Sequence, residues 1–336
     1  MKTTLGVALV MLIAGSAFGA TDTLDSQVKL SSQPAATTPA KTDAPAAASK
    51  ATYGITDKRL VGNEEIGWPG FLNGLRGFEH FYNPIGNPLY FETPLNNTSI
   101  RALFLHHNFD GDSTLAGGEV NVYAVQARIA ITERLGFIAT KDGYSNISSG
   151  ALGDAGGWND IAAGFKYAFY VDKDADFIAT GGFRYMMENG DKDVLMGGVQ
   201  ELSPFISLAK GFDKFHLMGN ITDRVPISNG DDGNNTLQWD VHADYEIFNG
   251  FAPVIELHGL HYLDNGERTP LPIGGADYTN LGSTMVDDST VIWLGAGARW
   301  KLTPHLSIGA DYEYPLTNRK ADIFGDRVTV DLELTW

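Results

Sequence analysis

Ionisable side chains recur at every second position in several stretches of this 336-residue chain. In TLQWDVHADYEI, Asp240, His242, Asp244 and Glu246 share one parity. Glu256 and His258 follow, then Asp311 and Glu313, and finally Asp331 and Glu333. Lys166, Arg184, Arg299 and Lys301 supply the opposite sign, and carboxylates outnumber them. Residues i, i+2 and i+4 of an extended chain line one face, so these groups belong to the wall of a sheet. Carboxylates on a low-dielectric wall concentrate cations and repel anions. If water runs past them they select ions; if it does not, they cross-link one another and fill the interior.

Other chemistries fit less well. His258 and Glu256 share a face and Ser307 lies on another strand, which are the residue types of a hydrolytic triad, but no nucleophile motif accompanies them. His106 and His107 are adjacent, and adjacent strand residues point to opposite faces, so they do not share an ion. The loops NFDGDST, ENGDKD and NGDDGNN lack the terminal Glu of a twelve-residue calcium loop. The chain has no Cys, which excludes disulfides, thiolate metal sites and a lipoprotein anchor. No cofactor and no metal are expected. The formal charge is -17, and -18 once Lys2 is removed, with no basic cluster to hold phosphate; nucleic acid is not a partner.

The elements that carry these residues are strands. EVNVYAVQARIAIT places Tyr123, Val125, Ala127, Ile129 and Ile131 on one side and Gln126 and Arg128 on the other. DIAAGFKYAFYV, DFIATGGFRYMM and HLSIGADYEYPL repeat that period-two grammar. Short breaks at 132–134, 172–175, 211–213, 248–250 and 302–304 alternate with longer polar segments at 108–118, 144–157, 188–198, 223–235, 264–288 and 317–325. Short turn, long loop, short turn is the plan of an up-and-down barrel whose two ends face different surroundings, and six long loops give twelve strands. Strands of about 9 to 14 residues suit a tilted bilayer crossing. Trp239, Tyr245, Trp293, Trp300, Tyr312 and Tyr314 are expected on the lipid face as interfacial girdles. Pro204 is out of place inside a sheet.

Before the barrel, MKTTLGVALVMLIAGSAFGA reads as a cleaved signal peptide over residues 1–19. Residues 20–52, rich in Ala, Thr and Pro, have too little apolar content for a core and are expected to be disordered. Residues 53–98 form a Gly/Pro/aromatic leader containing WPGFLNGLRGFEHFYNP. It could plug the barrel, lie at the interface as a short helix bearing Phe71, Leu75, Phe78 and Tyr82, or extend into the periplasm.

The chain ends on VTVDLELTW, in which Val328, Val330, Leu332, Leu334 and Trp336 alternate with polar residues up to the last position. A barrel in lipid must pair every backbone group, so its last strand pairs along its length with the first. This ending resembles the C-terminal signature strand of Gram-negative outer-membrane β-barrel proteins, with Trp in place of the usual Phe. The resemblance implies that these residues are read by the barrel-assembly machinery and that both barrel termini are periplasmic.

The sequence therefore points to an all-β, transmembrane antiparallel barrel of about 12 strands over residues 99–336, exported to the outer membrane and surrounded by its lipid. The expected function is a passive channel for small neutral or cationic solutes through an acid-lined lumen. The alternatives are a structural or receptor-like barrel with a filled lumen and partner-binding loops, 264–288 being the longest, and then a lipid hydrolase. The expected lumen residues are Lys166, Arg184, Asp240, His242, Asp244, Glu246, Glu256, His258, Arg299, Asp311, Glu313, Asp331 and Glu333.

Overall fold

A computed structural model describes residues 70–228, 232–317, 322, 323 and 325–336; the signal peptide and the Ala/Thr/Pro-rich linker lie outside these. Fourteen strand segments follow one another: β1 (Ser99–Phe109), β2 (Gly118–Ala130), β3 (Leu135–Lys141), β4 (Tyr144–Ser149), β5 (Gly153–Trp158), β6 (Ala162–Asp172), β7 (Phe177–Met186), β8 (Glu201–Phe212), β9 (Phe215–Pro226), β10 (Thr236–Tyr245), β11 (Phe251–Tyr262), β12 (Thr290–Lys301), β13 (Leu306–Pro315) and β14 (Asp326–Thr335). All neighbours are antiparallel, and β1 pairs with both β2 and β14, which closes the sheet. Both β3 and β4 pair with β2, so together they form one stave broken at Asp142–Gly143. β5 and β6 form another stave, broken at 159–161. The barrel thus has twelve staves.

Closure extends to the final residue. The Trp336 amide donates to the Thr98 carbonyl at 2.9 Å and the Thr335 amide to His305 at 2.8 Å, so no edge is left for lipid to solvate. The segment 144–157, expected as a loop, is a hairpin of β4 and β5 instead. Its Ser, Asn and Gly residues hide the strand period, whereas the backbone ladder from Tyr144–Trp158 to Ser149–Gly153 is complete. Pro204 is accommodated where pairing lapses: β8 meets β9 at Leu202–Val225 and again at Phe205–Thr222, with no pair between them.

Alternation sorts the side chains. Tyr123, Val125, Phe165, Tyr167, Ile255, Leu332 and Leu334 are exposed on the outer wall, while Gln126, Arg128, Lys166, Glu256 and Glu333 are buried. Trp293 departs from expectation. It shares parity with Arg299 rather than Trp300, so it faces inward, fully buried, and its indole N–H donates to Glu313 at 2.9 Å.

The interior is layered. At the long-loop end an apolar cluster of Leu103, Leu105, Phe109, Val120, Val122, Ile273 and Tyr278 surrounds the loop between β11 and β12, residues 263–289. At the short-turn end Phe78, Phe81, Phe91 and Leu95 of the leader pack on Ala168, Ile178, Ala209 and Met218 of the wall. Between the two lies a buried polar layer.

Candidate functional site: a charged lumen with an inserted leader

Residues 70–98 enter and leave at the short-turn end. The Leu72 amide donates to Ala130, and the Asn96 side-chain amide donates to the carbonyls of Thr132 and Glu133. Between these points the segment lies inside the barrel, without helix or strand. Of the three readings open for the leader, its described residues 70–98 form no helix and lie within the barrel. Proline and glycine keep NPIGNP out of regular structure, so its amides and carbonyls need outside partners. The wall supplies them.

Wall donors take the carbonyls. Lys301 Nζ donates to Glu79 and His80, Arg299 Nε to Asn83, Arg101 to Ile85, Gln126 to Pro88, Arg184 to Tyr90, Ser207 to Glu92 and Thr180 to Pro94, each between 2.6 and 3.1 Å. Wall carboxylates take the amides. Ile85 and Gly86 donate to the two oxygens of Glu256 at 2.9 and 2.6 Å, and Asn87 donates to Glu313 at 3.2 Å. The Asn87 side chain donates to Asp240 at 2.6 Å. A side chain at Gly86 would have to displace wall groups: a Cβ there would lie 2.6 Å from Glu256 Oε2, 2.9 Å from His258 Nε2 and 3.0 Å from Glu313 Oε1.

Among the described leader residues Glu92 is the one buried carboxylate in this layer, and it meets three wall cations. Arg128 grips it with two hydrogen bonds at 2.9 and 3.0 Å, Lys166 Nζ donates at 2.8 Å, and Arg184 lies at 3.7 Å. Burial alone pushes this carboxyl upward, but Arg128 and Lys166 outweigh it and hold it well below the usual carboxylate range.

Histidines link the acids of β9 to β11. His216 contacts Asp244 at 2.6 Å; His242 lies between Asp244 at 3.0 Å and Glu256 at 2.6 Å; His258 contacts Asp240 at 2.8 Å. Loop 263–289 reaches the same layer from the other end. Asp277 accepts from Arg327 at 2.7 Å, and Arg327 also donates twice to Glu313. Asn280 donates to Glu201 at 2.7 Å, while Glu201 also accepts from Tyr90 of the leader and from Arg224. The Arg224 guanidinium stacks 4.3 Å from the Tyr90 ring centroid. Glu201 and the Glu313–Arg327 pair therefore join the two insertions.

Of the thirteen expected lumen residues, twelve are buried on the inner side; Glu246 lies beyond the end of β10, in the turn to β11. Asp331 belongs to Arg101 and Arg299, and Glu333 accepts both hydrogen bonds of the Asn83 amide. Ser307 accepts from Arg299 at 3.1 Å, and no Ser–His contact is formed with it. Arg101, Glu201, Arg224 and Arg327 were not singled out from sequence. Arg327 sits one residue before the apolar run that marks β14, and the poor alternation of VQELSPFISLAKG hides Glu201. Among the described residues no group of three or more His, Asp or Glu side chains converges as metal ligands.

No family model matches the sequence, and no curated protein matches it significantly. Solved structures do resemble it. An outer-membrane channel from Pseudomonas putida F1 superposes with a TM-score of 0.55 at 13% identity, over 76% of this chain and 100% of that one. The NanC porin follows at 0.41 and 9%, and the KdgM porin in complex with disordered oligogalacturonate at 0.39 and 12%, each over 71% of this chain and 98% and 99% of theirs. At such identities the likeness is one of fold: a closed barrel of the outer-membrane kind.

Proposed function

We propose that the protein is an outer-membrane channel held closed by its own leader, and that the open lumen favours small neutral and cationic solutes. The observation that supports this most is the seat of the Ile85–Gly86–Asn87 turn. Three successive groups of positive character, its amides, occupy the carboxylates of Glu256 and Glu313, with Asp240 beside them. Withdrawing the turn uncovers the carboxylates of Glu256, Glu313 and Asp240 to water, and a local excess of carboxylates enriches cations.

The leader's attachment in this layer combines backbone hydrogen bonds, the Glu92 ion pairs and Phe91 against His242 and His258, and water can replace the neutral hydrogen bonds at about 0.5–1.5 kcal/mol each. An apolar plug would leave a surface that water does not wet. The filled-lumen, structural alternative draws on the same closed geometry; conduction separates the two.

Selectivity is tested by the reversal potential in a KCl gradient across a planar bilayer. The Gly86→Val chain is compared with the same chain also carrying Asp240→Asn and Glu256→Gln. Cation preference in the first and its loss in the second are expected. A non-selective or anion-selective current in the first would reject the acid-lined path.

A further inference from the structure

The outer faces of β1, β2, β4 and β5 change character within one step of the register. Phe104, Tyr123, Tyr144 and Trp158 are partners across these strands and form an aromatic row. Two residues nearer the long loops the row is His106, Asn121, Asn146 and Gly156, and beyond it comes Asn108, Glu119, Ser148 and Asp154. All of these share the outward parity and none is buried. Tyr and Trp collect where hydrocarbon meets water. The polar rows therefore stand above the apolar core of the bilayer, and the wall below the aromatic row stands in it.

Each side of that row holds a groove. The upper one is open, has a volume of about 420 Å³ and is lined by Glu119, Asn121, Asn146, Ser148, Asp154 and Gly156. Gly156 keeps it clear: a Cβ there would lie 2.6 Å from the Tyr144 hydroxyl and 2.9 Å from Asn146 Oδ1. The lower groove, of about 1020 Å³, runs across the wall past Phe104, Tyr123, Val125, Trp158, Ile308 and Leu332. Two carboxylates at its margin are engaged with main chain, Asp142 accepting the Val125 amide at 3.0 Å and Asp191 the Trp158 amide at 2.6 Å.

The two grooves suit the two ends of an amphiphile. In the upper one Asn121 donates to Glu119 Oε1 at 2.9 Å and Ser148 to Asp154 Oδ1 at 2.6 Å. Each carboxylate keeps its other oxygen for further donors, and Asn146 can both donate and accept. Neither groove is lined by Lys or Arg among the described residues, so a phosphate here would meet carboxylates with no counter-charge. Sugar hydroxyls meet acceptors instead, and Trp158, 64% exposed at the boundary, offers an apolar face to the C–H side of a sugar ring.

We propose that the two grooves are one seat for a glycolipid of the outer leaflet. An acyl chain lies in the lower groove, sugar units without phosphate lie in the upper, and the aromatic row marks the joint between them. The seat is on the outer wall and is independent of whether the lumen conducts.

The test extracts the full mature chain from outer membranes into a polyoxyethylene detergent, which carries no sugar, and weighs it intact by native mass spectrometry. One glycolipid is expected to stay on the wild-type barrel after phospholipid has been washed away. Dodecyl maltoside should displace it at several-fold lower concentration than dodecylphosphocholine, which has the same alkyl chain and a phosphate head. Gly156→Val fills the upper groove and should cut retention at least several-fold. Asn146→Ala removes a sugar partner without filling the space; it should weaken retention too, and it serves if Gly156→Val does not fold. A wild type that retains no lipid, or retains phospholipid in its place, would overturn the seat, as would equal glycolipid retention in the folded variants. A dimer mass that the variants lose would assign this face to a second copy of the chain and overturn it as well.

Discussion

Gly86 and Glu256, 170 residues apart in sequence, meet inside the barrel: the glycine amide donates to Glu256 Oε2 at 2.6 Å, and a Cβ on the glycine would have to displace that carboxylate. The contact joins the part of the chain without regular structure to the most regular part. It also makes closure separable from folding, because a residue added at Gly86 strikes carboxylates in the lumen and leaves every ladder of the wall untouched.

The second anchor of the leader is Glu92, and its loss should be costly. Glu92→Gln leaves Arg128, Lys166 and Arg184 buried beside one another with their shared counter-charge gone. Breaking such a set costs about 3–5 kcal/mol, so the urea midpoint of the folded barrel should fall. An unchanged midpoint would mean that the leader contributes nothing to the closed state through this residue.

The pH dependence of that loss has a definite sign. The folded-state pKa of Glu92 is depressed, so its contribution is fully present above the ordinary glutamate value of about 4.3 and disappears as pH falls through the lower folded value. The stability gap between wild type and Glu92→Gln should therefore be constant from about pH 8 to pH 5 and shrink only in stronger acid. A gap that closes near neutrality would contradict the Arg128–Glu92–Lys166 assignment.

Much of the barrel was legible in the sequence because a wall with lipid on one side and a polar interior on the other imposes period two on every stave. Tyr123 to Ile131, Leu237 to Ile247 and the last nine residues display it openly. Legibility failed where composition masks the period. The hairpin Tyr144–Trp158 is made of Ser, Asn, Gly and Asp and reads as a loop, and Trp293 was assigned by its type instead of its parity. The leader's place could not be read, because NPIGNPLYFETP is recognised through its backbone, and carbonyls and amides leave no trace in side-chain pattern. Only Gly86, a small residue amid bulky neighbours, marks the close approach.

The loop between β11 and β12 is the second insertion, and Asp277 is its buried charge. Asp277→Asn weakens the hydrogen bond from Arg327 and leaves the hydrogen bonds of that guanidinium to Glu313 in place. Loop 263–289 should then open more often, and protease added to intact membranes should cut it several-fold faster than in the wild type. Equal cleavage rates would place the loop's anchorage elsewhere, for example at Asn280 and Glu201.

The lipid face is tested by Ile255, which is 61% exposed on β11, between buried Val254 and Glu256. Lysine at a mid-membrane position of a barrel wall costs about 2–4 kcal/mol. Ile255→Lys should lower the unfolding midpoint in lipid vesicles accordingly. No effect would mean that this face does not contact hydrocarbon.

We propose two separable tasks for the C-terminal strand. Its backbone closes the barrel through the Trp336 amide, which any residue supplies, whereas its outward face of Val328, Leu332 and Leu334 ends in an aromatic ring that any residue does not. Trp336→Ala should therefore leave the stability of refolded barrel nearly unchanged and reduce insertion in cells and in vesicles bearing assembly machinery. Normal assembly of the variant would remove Trp336 from the signal.

Closure by the leader is most directly measured as single-channel activity of the refolded mature chain against Gly86→Val, both verified as folded barrels. The account predicts a wild type that is closed most of the time and a variant that conducts in long, frequent openings, since valine must displace the side chains of Glu256, His258 and Glu313 to stay seated. Equal conductance in both, or silence in a folded Gly86→Val barrel, would contradict the account and leave a barrel whose filled interior is structural.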